Sequence, residues 1–455
     1  MITVCNPKIM QRFFPTSFVA CFLFSLISAC NQPSKNATGS IPSAIVSASL
    51  IHQLNNQLAE ALILGTFSPP AAARVYAYAN IAAYEAAIQG NDSFISYYSQ
   101  LKNMPAIPKA DQKKYIPEVA LTTAFCKVAN TVVWHDYILD SAGVKMVDSL
   151  RKNFSNENVS YSISFGDSLA TVIISWMNTD GYSKTRKMPF YLPLKKEWSW
   201  EPTPPKFAEA IEPWWHTIQP FVMDSAAQFR GAGPPPFSSQ KKSSFYKSNL
   251  RVYETSGKVM MDDTAIANFW DCNPFLTKRE GHTTYAVRQI SPGGHWIGIT
   301  QIACKLKNLN IQQSCEIYSL TAIALADGFI SCWETKFHYN LIRPQTYINR
   351  YIDHNWNPLL ETPPFPEYTS GHSVISSAAA TVLENYFGKE FTYTDSVELP
   401  FGKAPRKFNS FRQASDEAAI SRLYGGIHYI EAIEDGKLQG HKIGDWQIAH
   451  IKTHR

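Results

Sequence analysis

Apolar residues recur with helical spacing along this chain from Ala44 onward, while alternating, strand-like patterns are scarce. That contrast limits the fold more than any other feature, because a period near 3.6 residues and a period of 2 cannot share one segment. Helical pattern dominates from Ala44 to Gln89, and the alanine-rich faces of 71–87 let neighbouring helices approach closely. The pattern predicts further helices over 117–135, 161–177, 264–270, 294–307, 311–340 and 373–386. The final segment, 410–450, also reads as helical, interrupted by glycines at 425, 426, 436, 440 and 444. The expected fold is all-α, a large helical bundle.

Composition agrees with a globular chain that has a large core: 455 residues, 45% hydrophobic and 17% charged. The formal net charge of +5 includes Lys8 and Arg12 near the start, and the remainder is too scattered to suggest nucleic-acid binding.

The first thirty residues read as a targeting segment. Lys8 and Arg12 form a basic start, and 13–26 is an apolar run too short for a convincing membrane span. It ends Leu26-Ile27-Ser28-Ala29-Cys30, which resembles a bacterial lipobox. The expectation is a lipoprotein signal over 1–29, Cys30 as lipid anchor, a polar tether over 30–43 and a catalytic domain over 44–455. The protein would then sit in the bacterial cell envelope, facing periplasm or exterior. No later stretch reads as the roughly 20 apolar residues that a spanning helix needs. Cys126, Cys272, Cys304, Cys315 and Cys332 lack CxxC spacing, so no zinc cluster or disulfide framework is expected. They read as buried small hydrophobes. The Pro- and Trp-rich stretch 198–237 reads as a packed crossover.

Chemistry concentrates in three short segments. At Thr369-Ser370-Gly371-His372, a Pro-rich extended run meets a helix. Ser370 is the expected N-cap, Gly371 lets backbone approach a ligand, and unpaired N–H groups at a helix start favour an anion. Upstream, Lys336 and Arg343 are seven apart, so a continuous helix would place both on one face, with Pro344 ending it. The apolar surroundings of these cations (Trp333, Phe337, Ile342) imply burial, and buried cations need a partner. Downstream, Arg422 and His428 flank Gly425-Gly426.

In order and spacing, Lys336 with Arg343-Pro344, then Ser370-Gly371-His372, then Ser421-Arg422 with His428 resemble a known signature. It belongs to the superfamily that joins vanadium-dependent haloperoxidases to type 2 phosphatidic acid phosphatases. Thr369 departs from it, standing where the family commonly has proline. The resemblance implies an all-helical fold and a bound tetrahedral oxyanion, vanadate or phosphate. Lys336, Arg343 and Arg422 would balance its charge, the Ser370 hydroxyl and Gly371 N–H would complete the cradle, and His428 would bind the central atom. His372 would be the general acid–base and Lys336 a second catalytic group.

Two activities share that cradle. A haloperoxidase would hold vanadate and use hydrogen peroxide to oxidise halide; an acid phosphatase would form a phosphohistidine at His428. Trp333, three residues before Lys336, and Phe365, seven before His372, resemble the aromatic pair beside the halide site of chloroperoxidase-type members. This pair and the length of the chain favour the haloperoxidase. The pair leaves the halide open; iodide is the easiest to oxidise, so iodide or bromide activity is expected. A small organic acceptor is compatible with this reading. A serine hydrolase is disfavoured because Ser370 lacks a GxSxG elbow. A purely binding lipoprotein has no need of two histidines in a cationic cradle. Asp271 is a candidate partner for one of the arginines, whereas His295, His338 and His441 read as structural.

Overall fold

The computed structural model describes residues 48–257 and 260–455. The expected lipoprotein signal, Cys30 and the expected polar tether lie outside these residues.

The first helices are α1 (Ser49–Leu64), α2 (Pro69–Ala87), α3 (Pro117–Asn130), α4 (Asp136–Arg151), α5 (Asn156–Met177) and the short α6 (Tyr182–Thr185). After the Pro-rich crossover come α7 (Ser244–Gly257), α8 (Met261–Phe269), α9 (Pro292–Leu306), α10 (Ile311–Tyr339) and α11 (Pro344–Tyr351). The chain closes with α12 (Gly371–Phe387), α13 (Phe411–Tyr424) and α14 (Ile430–His450). Among the described residues the strands form only two short antiparallel pairs, β1 (Thr277–Glu280) with β2 (Thr283–Ala286) and β3 (Tyr393–Asp395) with β4 (Arg406–Phe408). The all-α expectation holds.

The core is built on α2, α10 and α12. Every residue of α2 is buried, which its alanines permit by letting helices close in from all sides. Pro69 and Pro70 occupy its first turn, where a missing N–H costs nothing, and Ser68 caps it. α10 packs between α2 and α12 and begins with a capping box formed by Asn310 and Gln313. By length and apolarity α10 could cross a membrane, contrary to the sequence expectation, but nearly all of its apolar window is buried inside the protein. It is a core helix.

The C-terminal glycines divide into two kinds. Gly425 and Gly426 do end α13, and Gly426 has a φ of +75° that favours glycine. Gly436, Gly440 and Gly444 do not interrupt α14. They form an i, i+4, i+8 stripe pressed onto α12, where an added Cβ would stand 2.8 Å from Ser373 Cβ, 2.1 Å from Val374 O and 2.6 Å from Thr381 Cβ. This close approach fixes the start of α12, because Ser370 N donates to Ala432 O at 3.0 Å.

The crossover is packed as expected. Trp200 and Trp215 are buried, and Asp327 of α10 accepts from the backbone N–H groups of Phe221, Val222 and Met223. All five described cysteines are buried and free.

Candidate active site

The start of α12 behaves as its sequence requires. Ser370 is the N-cap, its hydroxyl accepting from Ser373 N at 3.4 Å. Gly371 opens onto a cavity of about 60 Å³ lined by Trp333, Phe365, His372, Arg422 and His428, among others. An added Cβ on Gly371 would meet nothing nearer than Trp333 Cζ3 at 3.9 Å, so the glycine leaves real space before the backbone.

Lys336 and Arg343 do not share a helix face. α10 stops at Tyr339, Asn340 adopts the left-handed conformation, and Arg343 takes extended backbone before Pro344. The break brings the two cations together by another route, with both over the Phe365 ring at 5.1 and 5.0 Å. Lys336 is fully buried, and its Nζ donates to the carbonyls of Pro366, Glu367 and Thr369 at 2.9, 2.9 and 2.5 Å. It therefore ties down the loop that leads into Ser370. Burial pushes Lys336 down to about 7. The three carbonyls act in the opposite direction, since only an ammonium supplies three protons.

Arg343 Nε donates to Phe365 O at 2.8 Å, and Nη1 to Ile427 O at 2.9 Å and toward His428 Nε2 at 3.2 Å. Its Nη2 is buried without a partner. Burial lowers Arg343 to about 10, still charged at neutral pH. Arg422 donates to Ser421 Oγ and Ala267 O, and burial lowers it while Asp271 favours its charge. Asp271 is thus the electrostatic neighbour of Arg422, as expected for one of the arginines.

His428 is buried at the edge of this cationic group. Its Nδ1 lies 2.7 Å from Glu367 Oε1, an oxygen that also accepts from Tyr429 N at 3.0 Å. Burial first, then Arg343 and Lys336, holds the ring well below the usual histidine range. A neutral ring with Nδ1–H toward an accepting oxygen keeps a lone pair on Nε2, the nitrogen facing Arg343. His372, half-buried, is held well below the usual range by burial and then by Arg422. It hydrogen-bonds the backbone of Trp270, and its Nε2 is buried without a partner.

Trp333 and Phe365 meet as ring neighbours at 4.9 Å, and Trp333 Nε1 donates to Ile211 O of the crossover. The structure thus brings Trp333, Phe365, Gly371, His372, Arg422 and His428 to one cavity. Lys336, Arg343 and Ser370 stand behind its wall.

Sequence reasoning missed Glu367. Its signal was faint: a carboxylate inside a segment otherwise marked by cations and histidines. It also missed the network behind the site. There His295 stacks on Trp270 at 4.6 Å, pairs with Asp395 at 2.8 Å and Glu398 at 3.2 Å, and lies 3.5 Å from Cys272 Sγ. The reading of His295 as structural fits this fully hydrogen-bonded setting. His441, beside Arg412 and Thr381, lies in a similar one.

Together these features define an all-helical protein built around a cationic, histidine-flanked pocket. A family model described as the VCPO second helical-bundle domain matches residues 351–455. The solved structure of a bacterial vanadium-dependent iodoperoxidase, described as the first of its kind, is 38% identical. That match covers 92% of this chain and 99% of that one, with a TM-score of 0.85. A bacterial vanadium-dependent chloroperoxidase shares the fold in two forms. The holo form is 16% identical over 91% of this chain and 96% of that chain (TM-score 0.67). The apo form is 14% identical over 85% and 94% (TM-score 0.64). No curated protein sequence matches the chain. The chain belongs to the vanadium-dependent haloperoxidases.

Proposed function

We propose that this haloperoxidase holds vanadate at the start of α12 and uses hydrogen peroxide to oxidise iodide or bromide to a hypohalous acid equivalent. The observation that carries this reading is a matched pair of vacancies in the hydrogen bonding. Arg343 Nη2 and His372 Nε2 are buried without partners, His372 on the wall of the cavity that Gly371 leaves open and Arg343 behind that wall. Buried polar groups rarely lack partners, and a tetrahedral oxyanion satisfies both.

In this reading His428 would offer Nε2 to the central atom, and Arg343, Arg422, Ser370 and Gly371 would hold the oxygens, while Lys336, its three protons given to the carbonyls of Pro366, Glu367 and Thr369, would act through its charge. Bound vanadate would supply Lewis acidity that activates peroxide. The protein's own groups do the rest. Glu367 orients His428 through Nδ1, and burial raises its carboxyl to about 8 against the pull of Arg343 and Lys336. His372, neutral at rest, accepts and returns a proton on the cavity side. Lys336 contributes its charge while fixing the 366–369 loop. Trp333 and Phe365 line the cavity with apolar surface suited to a large, weakly hydrated halide.

Iodide and bromide are favoured by that apolar wall, and the 38%-identical relative is an iodoperoxidase. The cavity measures about 60 Å³. The test is to assay vanadate-loaded protein for peroxide-dependent iodide and bromide oxidation beside p-nitrophenyl phosphate hydrolysis. Halide oxidation is expected. Phosphatase turnover with no halide oxidation would point to the phosphohistidine alternative.

A further inference from the structure

The segment between α6 and the buried Ser199 leaves several large apolar side chains in water. Phe190, Leu192 and Leu194 are 70%, 75% and 51% exposed, and Met188 is 40% exposed. The segment is held firmly from behind. Trp214 Nε1 donates to Pro189 O, Asn340 Nδ2 donates to the Tyr191 hydroxyl, the Tyr191 ring packs on Phe337, and Lys196 N donates to Ser199 Oγ. Its anchored residue, Tyr191, alternates with outward-facing Phe190 and Leu192, so the apolar exposure is built into the anchoring. Trp134, 82% exposed, shares one surface groove with Met188 and Phe190.

Fully burying one such side chain is worth about 1.5–3 kcal/mol, and a contiguous exposed group of them marks a contact surface. Lys184 and Lys187 stand before this apolar ribbon, and Lys195 and Lys196 stand after it. All four are exposed and make no ion pair among the described residues. Glu209 and Glu212 also line the groove, Glu212 paired with Arg186, so the four lysines still leave this face net positive. An apolar ribbon bracketed by lysines matches the boundary of an anionic bilayer, with side chains at the acyl edge and ammonium groups at the headgroups. A face-to-face second copy fits poorly, because it would bring two sets of lysines together.

We propose that residues 184–196, with Trp134, rest on an anionic lipid surface. Phe275 lines both the groove beside this ribbon and the candidate active-site cavity, so the mouth of the site would open close to that surface. The proposal is independent of the halide and of the lipid anchor expected at Cys30.

The experiment is hydrogen–deuterium exchange on the full chain in three settings. These are solution, phosphatidylcholine vesicles, and phosphatidylethanolamine–phosphatidylglycerol vesicles. An anchor would hold the protein on either vesicle, so only the difference between lipids reports this surface. Peptides covering 184–196 and Trp134 should exchange severalfold more slowly on the anionic vesicles alone. The combined variant Phe190→Ser, Leu192→Ser, Lys195→Glu, Lys196→Glu should lose that protection while keeping wild-type exchange in the α10 core. Equal exchange at 184–196 on both vesicles overturns the proposal. Protection that instead grows with protein concentration in solution also overturns it, in favour of self-association.

Discussion

Glu367 Oε1 stands 2.7 Å from His428 Nδ1 and also accepts the Tyr429 N–H, while Arg343 Nη1 approaches the other ring nitrogen at 3.2 Å. The ring is therefore clamped in one tautomer from both sides. Removing the carboxylate with Glu367→Leu should weaken vanadate binding by about 10–100-fold, as loss of an outer-shell partner typically does. Glu367→Gln keeps an oxygen acceptor and should recover most of that loss. Isothermal titration with orthovanadate measures both. Equal affinity in Leu and Gln variants would show that orientation of His428 does not depend on residue 367.

His372 has an unpartnered Nε2 and is held neutral by burial and by Arg422. His372→Ala should lower halide oxidation by about 10²–10⁴-fold, the usual contribution of a positioned acid–base group, and flatten the pH–rate profile. A small loss with an unchanged profile would move the proton-transfer role to another residue.

His295 carries a stability prediction with a definite sign. Burial alone would lower its pKa, but the paired Asp395 carboxylate outweighs this and holds it well above the usual 6.5. The raised value means its stabilising contribution is complete below about pH 6.5. That contribution is lost as pH rises through the folded value. His295→Ala should cost about 3–5 kcal/mol, because the buried Asp395 carboxylate loses its cation while Glu398 keeps only Lys403. Thermal melts across pH should show the variant less sensitive than wild type to alkaline pH.

The helix interface beneath the site is equally testable. A methyl group at Gly440 would stand 2.1 Å from Val374 O, a backbone atom that cannot step aside cheaply. Gly440→Ala should destabilise by about 1–3 kcal/mol. It should also reduce vanadate affinity, because the α12–α14 contact sets where Ser370 and Gly371 sit. Gly257→Ala is the control for general loss of glycine, since nothing lies within 4 Å of its added Cβ and its φ is not in the left-handed region.

Much of this arrangement was legible in the residues, and the limits are physical. The helix start at Ser370 was readable because capping is a local preference, and the observed cap bears it out. The meeting of Lys336 with Arg343 was readable, but not its route. Helical spacing implied a shared face, whereas Asn340 ends α10 and the long side chains converge from different backbones. The glycines at 436, 440 and 444 looked like interruptions because a glycine is a weak helix former in isolation. Only the partner helix shows that they are contacts. Glu367 and the Asp395–His295–Glu398 set were hidden because their partners lie 61 to 103 residues away, and no local pattern encodes such pairings.

The most direct test of the central claim is vanadate binding to wild type and His428→Ala, followed by ⁵¹V NMR, with circular dichroism confirming that both are folded. Wild type should bind vanadate in a single saturable site and gain peroxide-dependent iodide oxidation in proportion to occupancy. The alanine variant should lose both. Undiminished saturable binding by folded His428→Ala would contradict the placement of the oxyanion against this histidine.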